Sequence, residues 1–174
     1  MSVTAHTVRV LSLRMLTLQR PAAELLPVHR QDDRIAIGRA PRGRGGWVCP
    51  GCVARVGATR FGRGSPGLDV EAVRVMLVEG AAEAFDRARD AGVIASGRFD
   101  VGRSAECAYV LVTRDAGAVA QRALPSGVPV VRLPWSTVET GRMLGRGPRS
   151  VLAVRRSTVA TQLLERLRLL DGLG

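Results

Sequence analysis

Ala108-Tyr109-Val110-Leu111-Val112-Thr113 is followed at once by Arg114-Asp115. The six residues form an apolar, β-prone run and read as a strand. Arg114-Asp115 then opens a helix to Leu124 with Asp115 as its N-cap, and Pro125-Ser126-Gly127 terminates it. Working outward toward the C-terminus, Val128 to Leu133 is strand again. Ser136 or Thr137 caps a short helix to Leu144, Ser150 to Val154 forms another apolar strand, and Ser157 caps a final helix through Leu170. In the other direction, Val70 to Ala91 places Val70, Val73, Leu77, Ala81 and Phe85 on one stripe with charges between them and stops at Gly92, as an amphipathic helix should. Strand and helix alternate, so residues 72–174 are expected to form an α/β/α sandwich.

The first part of the chain has a different texture. Ala22 to Val28 and Arg34 to Ile37 flank the polar turn Gln31-Asp32-Asp33 and read as a hairpin. Trp47-Val48 is expected to begin another strand, and Val53, Ala54, Val56 and Ala58 permit a short helix carrying Arg55 and Arg60 that ends near Phe61-Gly62. Val8 to Leu18 shows neither strict alternation nor a clean helical stripe. Gly62-Arg63-Gly64-Ser65-Pro66-Gly67 resists both helix and sheet. The expectation is a small basic α+β module over residues 1–66, a linker at 67–71 and the sandwich beyond.

Charge then limits the partners. The chain of 174 residues has a net charge of +11, and all 26 basic residues are arginine. Residues 1–69 hold 11 arginines against 4 acids and residues 70–174 hold 15 against 11, so the first part is the denser cation. A surplus of this size points to a polyanion. Arginine's planar fork fits phosphate in a bidentate manner and stacks on bases, although a GC-rich genome would also favour arginine codons. Three cysteines, of which only Cys49 and Cys52 are close together, make no disulfide framework, which fits a reducing cytosol. Arg9 and Arg14 interrupt the apolar N-terminal stretch and argue against a signal peptide; a transit peptide stays open, because the first acid is Glu24. No run is long enough to span a membrane, and the cytoplasm is the expected location. Oligomeric state is not legible.

Arg42-Gly43-Arg44-Gly45-Gly46-Trp47 is the sharpest chemical motif. Its glycines let the backbone turn tightly and bring N–H groups close to a ligand. The arginines add charge, and Trp47 offers a flat face for stacking an unpaired base, worth about 1–3 kcal/mol in single-strand binders. The alternative is a hairpin loop with exposed arginines and a core tryptophan.

Ala23-Glu24-Leu25-Leu26, the strand pair ending at Ile37, Gly43-Arg44-Gly45-Gly46-Trp47-Val48-Cys49-Pro50 and Phe61-Gly62-Arg63 together resemble the bacterial YlxR family of RNA-binding proteins over about residues 20–64. The family signature is glycine-arginine-glycine-alanine-aromatic, with Gly46 here in place of the alanine. The resemblance implies a basic cleft for structured RNA lined by Arg39, Arg42, Gly43, Arg44, Gly45, Gly46 and Trp47, with Arg55, Arg60 and Arg63 nearby, and a role near translation or RNA processing. Many relatives carry a cysteine pair upstream of the glutamate-leucine run, where this chain has Leu16-Thr17-Leu18. That departure bears on Cys49-Pro50-Gly51-Cys52. A structural zinc site normally needs four ligands, and neither His6 nor His29 has a motif spacing to Cys49, so the expectation is no metal, with Cys49 and Cys52 as the alternative ligands. A redox-active pair needs a strand before it and a helix start after it, and the surrounding sequence shows no such frame. The remaining reading is two small, partly buried thiols. Cys107 reads as core. No other cofactor is expected.

Ala88-Arg89-Asp90-Ala91-Gly92, Val110-Leu111-Val112-Thr113-Arg114-Asp115-Ala116, Gly127-Val128-Pro129-Val130-Val131 and Glu139-Thr140-Gly141-Arg142-Met143-Leu144-Gly145 resemble the kink-turn-binding ribosomal proteins of the archaeal L-seven-Ae type, over about residues 72–170. The gripping glycine-asparagine-glutamate loop of those relatives is replaced by Ser96-Gly97-Arg98-Phe99-Asp100-Val101-Gly102-Arg103. The resemblance implies RNA contact by Gly97, Arg98 and Arg103 and by a second loop of Pro134, Ser136, Thr137 and Gly141; the alternative is a scaffold in which Gly97 and Gly141 serve turns and packing. Arg146, Arg149, Arg155 and Arg156 read as ordinary solvated surface. The expected partner is RNA, with the ribosome or ribonuclease P as compatible settings. The competing expectation is a nucleoid-associated or transcription-regulating protein that binds DNA. An enzyme finds no support: the sequence has no HExxH, GxSxG or GxxxxGK[ST] pattern, and neither histidine sits in a nucleophile or acid–base pair.

Overall fold

A computed structural model of the chain describes residues 7–9, 19–21, 24–31, 34–37, 45–53, 69–96, 107–118, 120 and 124–173. It is mixed α/β, and its contacts divide the chain into two units, Met1–Leu77 with Arg168–Gly174, and Val78–Leu167. The residues expected as the linker begin outside the described set, at 67 and 68, and Val70 and Glu71 are already helical.

In the first unit, strands β1 (Thr7–Arg9) and β2 (Gln19–Pro21) pair antiparallel. A second sheet has the order β4-β3-β5, with β3 (Leu26–Gln31) between β4 (Arg34–Ile37) and β5 (Gly45–Val48), all antiparallel. The expected hairpin is there, but the first strand starts at Leu26 and takes in Gln31, which pairs with Arg34; Asp32 and Asp33 lie outside the described residues. Alternation along β3 sends Leu26 and Val28 into the core, where Val48, Val53, Val73, Leu77, Leu169 and Leu173 join them. One expectation is corrected. Trp47-Val48 ends a strand instead of beginning one, because β3 supplies partners to Gly45 and Gly46 and Pro50 has no N–H with which to extend the ladder. Cys49 then leads into a 3₁₀ turn over Pro50–Cys52. Of the short helix expected beyond Cys52, only Val53 lies within the described residues.

Helix α1 (Val70–Asp90) starts on Asp69, whose carboxylate accepts the N–H groups of Glu71 and Ala72 at 2.9 and 3.3 Å. It stops as the glycine predicts. Gly92 adopts φ +65°, its N–H reaches the Arg89 carbonyl, and the Val93 N–H reaches the Ala88 carbonyl. That pair of bonds is a Schellman motif, which satisfies the last carbonyls of the helix.

The second unit is built on a sheet of order β6-β9-β7-β8: β6 (Ile94–Ala95), β7 (Cys107–Val112), β8 (Val130–Arg132) and β9 (Val151–Arg155). β7 runs parallel to β8 and antiparallel to β9. Both faces of β7 are buried. Tyr109 and Leu111 pack with Ala81, Ala84, Phe85 and Ala88 of α1 and with Leu163 and Leu167 of the last helix, α3 (Thr158–Asp171). Val110 and Val112 point the other way, toward Ala116, Leu124 and Val128. A register shift between Cys107 and Tyr109 reverses the alternation, which puts Cys107 with Val110 and Val112.

Three boundaries differ from the sequence expectation. Thr113 leaves the strand, its N–H donating to the Ser150 carbonyl. The strand expected over Val128–Leu133 contracts to β8. The carboxylate of Asp115, expected to cap the following helix, accepts instead from Thr137, 22 residues on; Ala118 and Ala120 are helical beyond it. The remaining caps agree with the sequence. Ser136 caps α2 (Thr137–Met143) through a full capping box with Glu139, and the Ser157 hydroxyl accepts from the Ala160 N–H at 3.0 Å at the start of α3.

Candidate nucleic-acid interface

In the first unit the described part of the motif lies on β5, an edge of its sheet. Gly46 stands opposite Val28, and a Cβ placed on it would meet the Val28 Cγ2 at 3.7 Å, so Gly46 and Val48 face the core. Trp47 therefore points to the other face, opposite Pro27, and it is only half-buried. Trp47 is not among the fully buried core residues and stands beside two residues without side chains. Arg39, Arg42, Gly43, Arg44, Arg55, Arg60 and Arg63 lie outside the described residues.

β5 ends one residue before Cys49, and a 3₁₀ turn of three residues begins one residue after it. The strand runs through Gly45-Gly46, two residues of low strand propensity that are held there by pairing with β3. Both thiols are partly buried, as expected for small side chains beside a core, and neither is bridged. Among the described residues no group of three or more histidines, cysteines and acids comes close enough together to hold a metal ion.

In the second unit, Pro134, Ser136, Thr137 and Gly141 are described, while Gly97, Arg98 and Arg103 are not. The polar atoms of Ser136 and Thr137 are used within the chain. The Glu139 carboxylate accepts from the Ser136 N–H at 2.6 Å, and the Ser136 hydroxyl accepts from the Glu139 N–H. The Asp115 carboxylate accepts both the N–H and the hydroxyl of Thr137, at 2.7 and 2.8 Å, and the Thr113 and Thr137 hydroxyls are 3.0 Å apart. These bonds favour the ionised acids: the Thr137 hydroxyl holds the Asp115 carboxyl below its ordinary value, and the Ser136 N–H does the same for Glu139. Gly141 is buried, and a Cβ there would lie 2.5 Å from the Gly147 carbonyl oxygen. Packing thus accounts for this glycine.

A different set of residues stands out in the same unit. From Thr140 to Leu164 the sequence holds Arg142, Arg146, Arg149, Arg155 and Arg156 and no acid. All but the half-buried Arg149 are exposed. Arg146 donates to the Ser96 hydroxyl, Arg149 to the Pro148 carbonyl and Arg155 to the Gly92 carbonyl, all neutral acceptors. The ion pairs among the described residues involve other arginines: Arg74, Arg87, Arg89 and Arg114. Among the described residues, no ion pair compensates the positive charge of this run.

No family model matches the chain, and no curated protein matches it. Among solved structures, it is similar to a protein with unknown function from Bacillus halodurans C, at 19% identity and a TM-score of 0.44, over 50% of this chain and 95% of that one. It is also similar to the Giardia lamblia 15.5kD RNA binding protein, at 15% identity and a TM-score of 0.41, over 57% of this chain and 91% of that one. Likenesses this loose leave function to the chain's own residues. No helix among the described residues is long and apolar enough to cross a membrane.

Proposed function

We propose that this protein binds structured RNA without catalysing a reaction, through the Gly-Arg-Gly-Gly-Trp segment of its first unit, with the acid-free arginine run of the second unit as a further contact. The observation that carries this reading is Trp47, half-buried on an edge strand beside Gly45 and Gly46, directly after Arg42-Gly43-Arg44 in a chain of net charge +11. A partly exposed indole on the strand that follows two arginines in sequence offers base stacking together with phosphate contact, the two terms that dominate recognition of unpaired RNA. The YlxR-type and kink-turn-binding resemblances lead to the same partner. In this reading the second unit is an α/β/α sandwich whose apolar sheet faces are both covered, and Ser136, Thr137 and Gly141 shape the fold near the contact instead of touching RNA.

The test is ultraviolet crosslinking of the full chain to cellular RNA, with the crosslinked residues mapped by peptide mass. Crosslinks at residues 42–47 are the expected result; crosslinks confined to residues after 70 would remove the first-unit site. Competition at equal salt separates RNA from DNA, because displacement from structured RNA by an equimolar DNA duplex would favour a DNA-binding role. Arg44→Ala is expected to weaken binding and to shallow the salt slope by about one contact.

A further inference from the structure

We propose that Cys49 and Cys52 form a dithiol site that reacts with small-molecule disulfides and closes to an intrachain disulfide beside Trp47. The geometry is set before any oxidant arrives. The Cys52 N–H donates to the Cys49 carbonyl at 2.8 Å, and Pro50, at the first position of the turn, fixes its shape. A turn closed by that bond keeps its end Cα atoms within about 7 Å, the range a disulfide spans. The turn therefore meets the Cα-separation condition for a bridge.

Access distinguishes the three cysteines. Cys49 and Cys52 are each partly exposed, and Cys52 also packs against the edge of the first-unit core. Cys107 is buried, with its Sγ–H donating to the Tyr109 carbonyl at 3.1 Å, and stands as an internal control.

The reaction balances as two exchanges. The Cys49 thiolate attacks one sulfur of a small-molecule disulfide such as oxidised glutathione, whose S–S bond breaks and releases one thiol. The Cys52 thiolate then attacks the Cys49 sulfur of the mixed disulfide and releases the second thiol. The protein loses two electrons and two protons, and both released thiols carry them away.

The position of the site gives the oxidation a consequence. Cys49 follows Trp47 by two residues along extended backbone (φ −64°, ψ 132° at Cys49). Gly46 and Val48 face the core, so alternation puts Trp47 and Cys49 on the opposite side together. A disulfide formed there lies against the indole and quenches its emission. The exchange chemistry stands apart from the proposed RNA binding, and its test contains no RNA.

The experiment treats the full chain with oxidised glutathione, counts thiols after denaturation and maps bridges by peptide mass. Of the three thiols in the chain, one is expected to remain, with the protein about 2 Da lighter and the bridge at Cys49–Cys52. The variants C49S and C52S, checked for native circular dichroism, are each expected to hold a stable glutathione adduct. Tryptophan emission should fall on oxidation of the parent and remain constant for W47F. A parent that keeps all three thiols, or that ends as a stable adduct, overturns the dithiol site. Bridge formation without an emission change overturns its placement beside Trp47.

Discussion

Gly141→Ala and Gly80→Ala replace helical glycines in the same unit and should shift its stability in opposite directions. At Gly80, in the interior of α1, a Cβ finds no atom within 4 Å. Alanine there gains helix propensity, about 0.5–1 kcal/mol. At Gly141, in α2, the new Cβ falls 2.5 Å from the Gly147 carbonyl oxygen, 2.8 Å from its carbonyl carbon and 3.0 Å from the Pro148 Cα. Every one of these is a backbone atom. The segment cannot simply move away, because the Arg146 N–H is bonded to the Gly141 carbonyl at 2.9 Å and the Arg149 N–H to the Thr137 carbonyl at 3.1 Å. Overpacking of this severity costs about 3 kcal/mol, which the propensity gain offsets by about 1 kcal/mol. The net loss of about 2 kcal/mol corresponds, at about 4–8 °C per kcal/mol for a unit of this size, to a fall of roughly 8–16 °C in melting temperature. Thermal unfolding of parent and both variants, followed by circular dichroism, reads this directly. A Gly141→Ala protein that melts at or above the parent temperature refutes the steric argument; if it also loses RNA binding, the glycine is a contact and not a packing residue.

Three further outcomes follow from the second unit. Tyr109, the single tyrosine, donates its hydroxyl to the Ala160 carbonyl at 2.7 Å, and burial, with a lesser contribution from Cys107, pushes its pKa well above the ordinary value of 10.0. The unfolded chain releases the phenol proton near that ordinary value while the folded chain retains it, so the stability present below it declines as pH rises beyond it; a phenolate absorbance step at the ordinary pH in folded protein would contradict this. Asp115 and Glu139 have the opposite sign, with folded values below the ordinary ones. Their contribution is present above the ordinary carboxylate range and is lost as pH falls through the folded values, so acid melting of Asp115→Asn should converge on that of the parent at low pH, and a constant gap would count against the Thr137 bonds as its source. Thr140 is fully buried, and its hydroxyl has no hydrogen-bond partner in the described structure. Thr140→Val should stabilise by about 1 kcal/mol in denaturant unfolding, whereas a loss would indicate a partner for that hydroxyl.

The features legible in the sequence are those whose physics is local. A helix that stops at Gly92 needs only the glycine and the turn before it, and Ser136 and Ser157 cap helices that start within three residues of them. The misjudged features depend on distant partners. Gly45 and Gly46 have little strand propensity of their own and become strand because Leu26–Gln31 lies alongside. Asp115 resembles a cap for the helix that follows it, but its carboxylate accepts the N–H and hydroxyl of Thr137, 22 residues away in sequence. Gly141 shows the same limit in the candidate site. A resemblance transfers the residue type at a position, yet a glycine serves equally where RNA approaches the backbone and where the chain's own backbone does, and only the Gly147 carbonyl at 2.5 Å separates the two. The arginine run of the second unit differs in kind. Its signal is an absence of acids along 25 residues, from Thr140 to Leu164, and its meaning depends on the exposure of Arg142, Arg146, Arg155 and Arg156 at the surface. If phosphate contact is divided between that run and the Trp47 segment, neutralising two of those arginines should lower the salt slope of RNA binding by about two contacts while leaving stacking on Trp47 intact. A slope equal to the parent's would return the run to plain solvated surface.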